Sequence, residues 1–597
     1  MQPRNTSKHC RVAFTKNTAP DILPTLVKRR SLLPKFAFIV LFVLHPPQVE
    51  ALSFWDDTPD DTLATQLLAA MTPEEILGQT LMLGWTGQDP SPEIRRWVSS
   101  SNLGGVKVFG WNGADLPRLA SAVAEMQRLA TESRFGIPLL VATDQEGGWV
   151  RHVKGNGEVE TSITPGNMAI GASTLPFDAY ESAYYIGSEL RALGINMNFA
   201  PTVDVYVNPD ATVVGPRSFS SDPVEAAILS VAYYHGQEQT RVISTAKHFP
   251  GHGNATGDSH GILPVIHDSL DTLWARDLVP YRMLINEGLP AILSGHLSFP
   301  EVTGDGRPAS LSPFFLNDVL RVRLGYTGVV ITDDLYMEGA LSYGAQRSWG
   351  ISEIVVEALR VGNDMVMLSQ TPDADGAIWR HLLEEFESDA AFRDRAVEAA
   401  RSVIMLKLRY LKDADHVPLQ PDAEQIAASM RTLEAASFFR DQAGRSITVV
   451  NGAGLPYARQ PDAPVLLVGK DPDFLEIGAQ YFRDAELLRL TSPYTEATTD
   501  ADLARFRAAA RRHRTIIFCV SDRSSLTVLQ EVAGSDATVL VMSILSPVYL
   551  SELAWADAAI AVYGWGEESY RAGFSAILGS FEPDGRLPVT LRPPDEE

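Results

Sequence analysis

Residues 247–260 read KHFPGHGNATGDSH, placing a lysine, three of the chain's twelve histidines and an aspartate within fourteen positions. Pro250, Gly251, Gly253 and Gly257 interleave with them, so the segment is a loop able to shape itself around a ligand. Two chemistries suit these side chains. Imidazole and carboxylate groups ligate zinc or iron, but His248 and His252 would share a face only on a helix, which Pro250 and the glycines oppose. No metal ligand is assigned on that ground. The other chemistry is proton transfer. Asp258 lies two residues from His260 and can hydrogen-bond its ring, fixing the tautomer and stabilising the imidazolium. Such a histidine can protonate a leaving oxygen and later take a proton from water. Ser259 sits between these partners without a strained strand-to-helix turn around it, so a serine triad is not expected.

The complementary group is Asp333 in ITDDL, residues 331–335, where a carboxylate ends an apolar strand. Placed so, it can attack an anomeric carbon or stabilise an oxocarbenium ion, the two needs of glycoside hydrolysis. Asp334 points the opposite way along a strand and serves as support. Asp144, Arg217, Lys247 and His248 suit sugar hydroxyls, the aspartate accepting from adjacent hydroxyls and the cations donating.

Positioning these groups requires a scaffold of many strand ends. Strand-length apolar runs occur at 79–85, 104–110, 137–144, 195–205, 242–249, 290–298, 328–335 and 363–369. Amphipathic helical stretches lie between them, at Leu116–Ala130, Tyr180–Leu193, Ala226–Thr240, Leu270–Leu284 and Ile351–Val361. Alternating strands and helices of this number fit a (β/α)8 TIM-type barrel, with a doubly wound open sheet as the alternative. The barrel is favoured because Asp144, Asp204, Lys247–His248, His296 and Asp333 all fall at C-terminal ends of runs, the face where barrel enzymes build their sites. Residues 375–440 read as charged helices, Arg380–Glu387, Ala396–Leu411 and Ala423–Phe439. From Ser446 five further apolar runs alternate with helices, predicting a smaller α/β sandwich with a mainly parallel sheet. The expected division is a targeting segment over 1–51, a catalytic barrel over 52–410, a helical linker over 411–445 and the second α/β domain over 446–597.

The chain has 597 residues, 45% of them apolar, and a net charge of −24, which disfavours nucleic acid and acidic membrane surfaces as partners. Residues 1–50 oppose the trend with eight basic and two acidic residues, leaving the remainder at −30. Lys28, Arg29, Arg30 and Lys35 precede the apolar run 36–44, and Ala51 follows Pro46 and Pro47. That pattern predicts a signal peptide and export to the periplasm or beyond; nine apolar residues are too few to span a bilayer, so no stable membrane span is expected. Only Cys10 and Cys519 occur. No disulfide framework or cysteine metal site follows, and Cys519 in TIIFCV reads as a buried strand thiol.

At its chemical residues the sequence resembles glycoside hydrolase family 3, in the β-N-acetylhexosaminidase branch. The matching motifs are DQEGG at 144–148, TPGNMAIGA at 164–172, NFAPTVDV at 198–205, GPRSFSSDP at 215–223 and KHFPGHGNATGDSHGILP at 247–264. GHLSFP at 295–300, PASLSP at 308–313 and GVVITDDLYMEGA at 328–340 continue the match. The resemblance implies that Asp333 is the nucleophile of a retaining reaction and that His260, paired with Asp258, is the acid/base. Asp144, Arg217, Lys247 and His248 would then hold a terminal N-acetylglucosamine ring, with no cofactor. Family members usually carry an arginine eight residues after the DQEGG aspartate; here His152 stands there, so either Arg151, one earlier, bulges to supply the contact or the contact is lost. The expected substrates are terminal β-linked N-acetylglucosaminides, notably peptidoglycan fragments (muropeptides). Other exo-β-glycosidase activity, phosphorolysis and non-catalytic cell-wall sugar binding are the alternatives.

Overall fold

The computed structural model describes residues 52–591 apart from 212, 460–463 and 492–498. The segment 1–51, read as an export signal, lies outside the described residues.

Each of the eight apolar runs supplies one barrel strand. They are β1 Leu81–Gly84, β2 Gly105–Val108, β3 Leu140–Thr143, β4 Met197–Asn198, β5 Ile243–Phe249, β6 Ala291–Ser294, β7 Val329–Asp334 and β8 Met365–Leu368. All neighbours pair in parallel, and β8 returns to β1 through Leu81↔Val366 and Leu83↔Leu368, closing the ring. Every barrel strand is buried along its length except β7, whose last two residues, Asp333 and Asp334, are half-buried. The ladder also breaks register between Ala246 and Phe249 on β5, and opposite Ile331–Asp334 between Met365 and Met367 on β8. Such irregularities re-aim side chains at barrel rims, and these two bracket Lys247–His248 and Asp333.

The helices between strands follow local rules. Asp115 accepts the Arg118 N–H to cap Leu116–Thr131, and Asp222 accepts from Val224 and Glu225 to cap Pro223–Glu238. Proline occupies the first turn of both, where its missing N–H costs nothing. Two expected helices are each divided. Leu270–Leu284 becomes Leu270–Ala275 and Leu278–Asn286, because buried Asp277 breaks away to pair with Arg276, which also holds Asp268. Ala423–Phe439 becomes Ile426–Ser429 and Leu433–Ser446. There Arg431 takes a left-handed conformation (φ 42°), its N–H reaches Glu189, and Thr432 caps the second helix.

The second domain is a six-stranded sheet of β9 Thr448–Asn451, β10 Val465–Gly469, β11 Glu486–Arg489, β12 Thr515–Val520, β13 Thr538–Ile544 and β14 Ala558–Tyr563. Its order is β9-β14-β13-β12-β10-β11, parallel except for β9. Period-two burial separates the faces: Leu467 joins Phe474 and Phe574, while Leu466 and Val468 join Phe506 on the other side. The sequence predicted five of these strands. It missed β11, a short edge strand bounded by Glu486 and Arg489 with Leu487 exposed, the charged form that edges take. Cys519 is the expected buried thiol, on β12. Among the described residues no helix is long and apolar enough to cross a membrane.

The two domains meet along the loops that follow β3 and β4. Pro588 O accepts Ser221 N–H at 2.9 Å, and Arg586 N–H donates to Ala172 O at 2.9 Å. Gly564 lies so close to Pro165 that a Cβ there would stand 2.9 Å from the Pro165 Cα.

Candidate active site

The C-terminal ends of β2 to β5 bring a row of formal charges into the barrel mouth, and burial forces them to pair. Lys107, within β2 and fully buried, places Nζ 2.7 Å from Asp144 Oδ2. Lys247 on β5 contacts Asp144 as well and lies 2.5 Å from Glu146 Oε1. Arg217 grips Glu146 with two parallel bonds of 2.9 and 2.8 Å. The same guanidinium reaches His248 Nε2 at 3.2 Å, and His248 Nδ1 lies 2.8 Å from Asp204. These two partners fix the tautomer: Nδ1–H donates to the carboxylate and Nε2 accepts from the arginine. The result is an unbroken chain of contacts, Lys107–Asp144–Lys247–Glu146–Arg217–His248–Asp204, alternating in charge from Lys107 to Arg217. The peptide bond between Lys247 and His248 is cis.

The electrostatics follow from this order. Burial opposes the charge on Asp144, but Lys107, Lys247 and His152 outweigh it and hold its carboxyl well below the usual range. Burial likewise opposes Glu146, yet Arg217 and Lys247 bring it down to about 2. Lys247, against two carboxylates, is raised despite burial; Lys107, with one carboxylate and Lys247 nearby, is lowered by its burial.

Asp204 has a second task. Its Oδ1 accepts the backbone N–H groups of His248 and His252, at 3.2 and 2.7 Å, and so anchors the glycine-rich loop after β5. Gly253 presses on β4's exit so tightly that a Cβ would stand 1.8 Å from Val205 O. Beyond this anchor the chain runs out with Gly257 at φ 117° to Asp258. Asp258 Oδ1 accepts from His260 Nδ1 at 2.6 Å and from the His260 backbone N–H at 2.9 Å. That hydrogen bond raises the imidazole pKa against the effect of burial, and leaves Nε2 pointing away from Asp258 to serve as the proton-transfer atom. The His260 side chain is 69% exposed, so its ring stands in solvent while Ser259 beside it is buried. Ser259 O accepts the Gly339 N–H at 3.0 Å, fastening the arm to the helix that follows β7.

Asp333, at the end of β7, pairs with no lysine or arginine among the described residues. Burial opposes its charge, but His248, His296, the Asp334 N–H at 2.9 Å and His260 lower its pKa, so it is ionised at neutral pH. Asp334 turns away as expected, its Oδ1 accepting from Tyr336 and Ser369 backbone N–H groups. His296 donates to Asp334 O at 3.0 Å and accepts from Ser310 Oγ at 2.7 Å, holding the strand's exit.

Asp144, Arg217, Lys247 and His248 therefore converge in one network, with Asp333 and the Asp258–His260 pair at the same face. Arg151 does not join them. After β3 the chain forms a hairpin, Gln145–Gly147 against Val150–Arg151, whose neighbouring residues face opposite ways. His152 consequently lies beside Asp144, 3.6 Å from Oδ2, while Arg151 turns outward and donates to Ser162 O at 2.8 Å. Burial and Lys107 push His152 down to about 4, so its ring is neutral; Nδ1 accepts from Lys107 at 3.4 Å and Nε2–H is left as a donor. Lys107, Glu146 and His152 are the members that sequence reasoning passed over as site residues. A charge inside the apolar run GGVKVFG was the available signal for Lys107, since a lysine in a buried strand requires a partner.

The pattern described as glycosyl hydrolase family 3 N terminal domain matches residues 70–403. A β-hexosaminidase of Methylococcus capsulatus is 32% identical over 325 residues, covering 54% of this chain and 92% of that protein. Beta-hexosaminidase A of Pseudoalteromonas piscicida is 35% identical over 336 residues, covering 51% of this chain and 55% of the relative, so the chain matches just over half of that protein's length. The solved structure of a family 3 β-N-acetylglucosaminidase from Paenibacillus sp. str. FPU-7 superposes with a TM-score of 0.76 at 28% identity, over 87% of this chain and 99% of that one. The barrel with its rim of paired charges is thus that of a known lineage, and the chain belongs to glycosyl hydrolase family 3.

Proposed function

We propose that this protein is a retaining exo-β-N-acetylglucosaminidase. The observation that carries the reading is the pairing of two unlike groups at one barrel face: an ionised Asp333 free, among the described residues, of lysine and arginine partners, and an exposed imidazole held protonatable by Asp258. In the first step Asp333 attacks the anomeric carbon while His260 Nε2–H protonates the departing oxygen; the neutral imidazole then takes a proton from water that hydrolyses the glycosyl ester. Asp144, Lys247, Arg217 and His248 orient the terminal ring, with Glu146 and Asp204 holding the cations and the imidazole in place. The hexosaminidase relatives support N-acetylglucosamine as that ring.

The test is turnover of an aryl N-acetyl-β-glucosaminide. Wild type is expected to hydrolyse it with retention at the anomeric carbon, and Asp333→Ala to lose turnover by more than about a thousandfold. Equal activity in the two proteins would remove Asp333 as nucleophile. Addition of phosphate separates hydrolysis from phosphorolysis, the latter giving a sugar 1-phosphate. Peptidoglycan fragments are the proposed natural substrates and the periplasm or exterior the proposed location, the latter supported by the basic and apolar head of residues 1–51. Turnover of muropeptides compared with chitobiose tests the first, and cell fractionation the second.

A further inference from the structure

Lys107 touches two side chains that remain open to the barrel mouth without reaching the mouth itself. Its own side chain is fully buried, while those of Asp144 and His152 are 18% and 30% exposed. The ammonium has three protons and three acceptors: Asp144 Oδ2 at 2.7 Å, Val108 O at 3.0 Å and His152 Nδ1 at 3.4 Å. No N–H is left over for a ligand. The ammonium also lies over the Phe109 and Phe199 rings, 4.4 and 5.3 Å from their centroids. The His152 backbone N–H donates to Asp144 O at 3.0 Å, and the Phe109 ring stands 5.8 Å from the imidazole, so the ring is held beside the carboxylate. A carboxylate ordinarily pushes a neighbouring imidazole toward protonation, as Asp258 does to His260. His152, 3.6 Å from Asp144, goes the other way: burial first and Lys107 second, with Lys247 adding, bring it down to about 4 against Asp144 and Glu146. Lys107 itself faces Asp144, Lys247 and Asp333.

Asp144 follows β3 and Asp333 ends β7, four strands away in a ring of eight, so the two lie on opposite walls of the mouth. A pyranose with its anomeric carbon at Asp333 turns C4, the ring atom opposite C1, toward Asp144 and His152. Acceptor capacity on Asp144 and the Nε2–H of His152 adjoin there, and one hydroxyl can donate to the first and accept from the second. We propose that buried Lys107 is a positioning residue of the sugar site: it holds His152 as a neutral donor, so that Asp144 and His152 together read the C4 hydroxyl of the terminal ring as donor and acceptor at once. Without Lys107 the imidazole would protonate at Nδ1, close onto Asp144 and withdraw that acceptor from the sugar. The assignment rests on the glycosidase reading above, and its test separates the two.

Protein labelled with 15N-histidine is observed by NMR at neutral pH, the His152 signals being assigned by their absence from His152→Gln. They are expected to show a neutral ring protonated at Nε2; a charged ring, or one protonated at Nδ1, overturns the proposal. Lys107→Met keeps the length of the side chain and removes its N–H groups. In that variant the acidic limb of kcat/KM on an aryl N-acetylglucosaminide is expected to move to higher pH, as His152 rises from about 4 toward 6.5, and adding His152→Gln returns it. An unmoved limb removes the role of Lys107, and a limb that stays shifted in the double variant places the ionisation on Asp144 and removes His152. The same constants are measured on the 4-deoxy glycoside. His152→Leu is expected to lose about tenfold in kcat/KM on the parent sugar and less than about twofold on the 4-deoxy sugar. His152→Gln, which keeps a neutral donor, recovers the parent activity to within about threefold of wild type. Equal loss on both sugars overturns the reading of C4. If Lys107→Met does not fold, the ring spectrum and the deoxy comparison decide alone. Wild-type inactivity on the aryl glycoside would sink the catalytic reading only. Titration of N-acetylglucosamine and its 4-deoxy form into wild type and His152→Leu then decides the subsite, selective weakening of the parent sugar supporting it and equal weakening of both removing it.

Discussion

Replacing Glu146 by glutamine tests whether the alternating charge chain is what holds the sugar-facing cations in place. The Glu146 side chain is 1% exposed and receives two bonds from Arg217 and one from Lys247. Its carboxyl titrates at about 2 instead of 4.5; at about 1.4 kcal/mol per tenfold, its surroundings favour the charged form by roughly 3 kcal/mol. Breaking a buried pair by removing one partner costs about 3–5 kcal/mol, so two separate routes reach the same size. The substituted amide would keep the shape but leave Arg217 without its carboxylate and Lys247 with Asp144 alone. The loss is read by urea denaturation followed through tryptophan fluorescence, extrapolated linearly to water. At pH 7 the variant is expected to be less stable by about 3–5 kcal/mol. Because the folded carboxyl is depressed, its contribution is complete above 4.5 and lost as pH falls toward 2, so the gap between the proteins narrows over that interval. A penalty under about 1 kcal/mol at pH 7, or a gap that does not change down to pH 3, would refute the reasoning.

His260→Ala is expected to slow glycosides with poor leaving groups by about 10²–10⁴-fold while barely affecting a dinitrophenyl glycoside; a uniform loss would argue against an acid role. Asp258→Asn replaces the charged acceptor that raises the His260 pKa with a neutral amide, so the alkaline limb of kcat/KM moves to lower pH, and an unmoved limb would separate the two residues. Gly253→Ala drives a methyl group into Val205 O and is expected to cost more than about 3 kcal/mol in stability; a wild-type melting curve would show that the loop shifts freely.

The barrel was legible because each strand is a short apolar run and five of the eight carry polar residues at their C-terminal ends, a pattern that needs no knowledge of partners. For the same reason Asp333, Lys247 and Asp144 stood out. Lys107 did not, because its meaning lies in Asp144, on the neighbouring strand and 37 positions away. Arg151 was misplaced by a single step. Composition shows that an arginine and a histidine adjoin, but the hairpin's register, set by a turn at Gly147 and Gly148, decides which faces the mouth. The break at Asp277 was invisible for a related cause: helical periodicity continues through it, and a buried pairing with Arg276 overrides it.

Among the described residues, the bond from Gly339 to Ser259 is the one backbone hydrogen bond that leaves the segment 256–262. Such a bond is worth about 0.5–1.5 kcal/mol net, so if it alone held the arm, roughly 7–30% would be released at equilibrium. Loop motions of this kind run over nanoseconds to microseconds. The bond's other end lies six residues beyond Asp333 in sequence, so the acid/base arm is tethered to the helix that directly follows the nucleophile's strand.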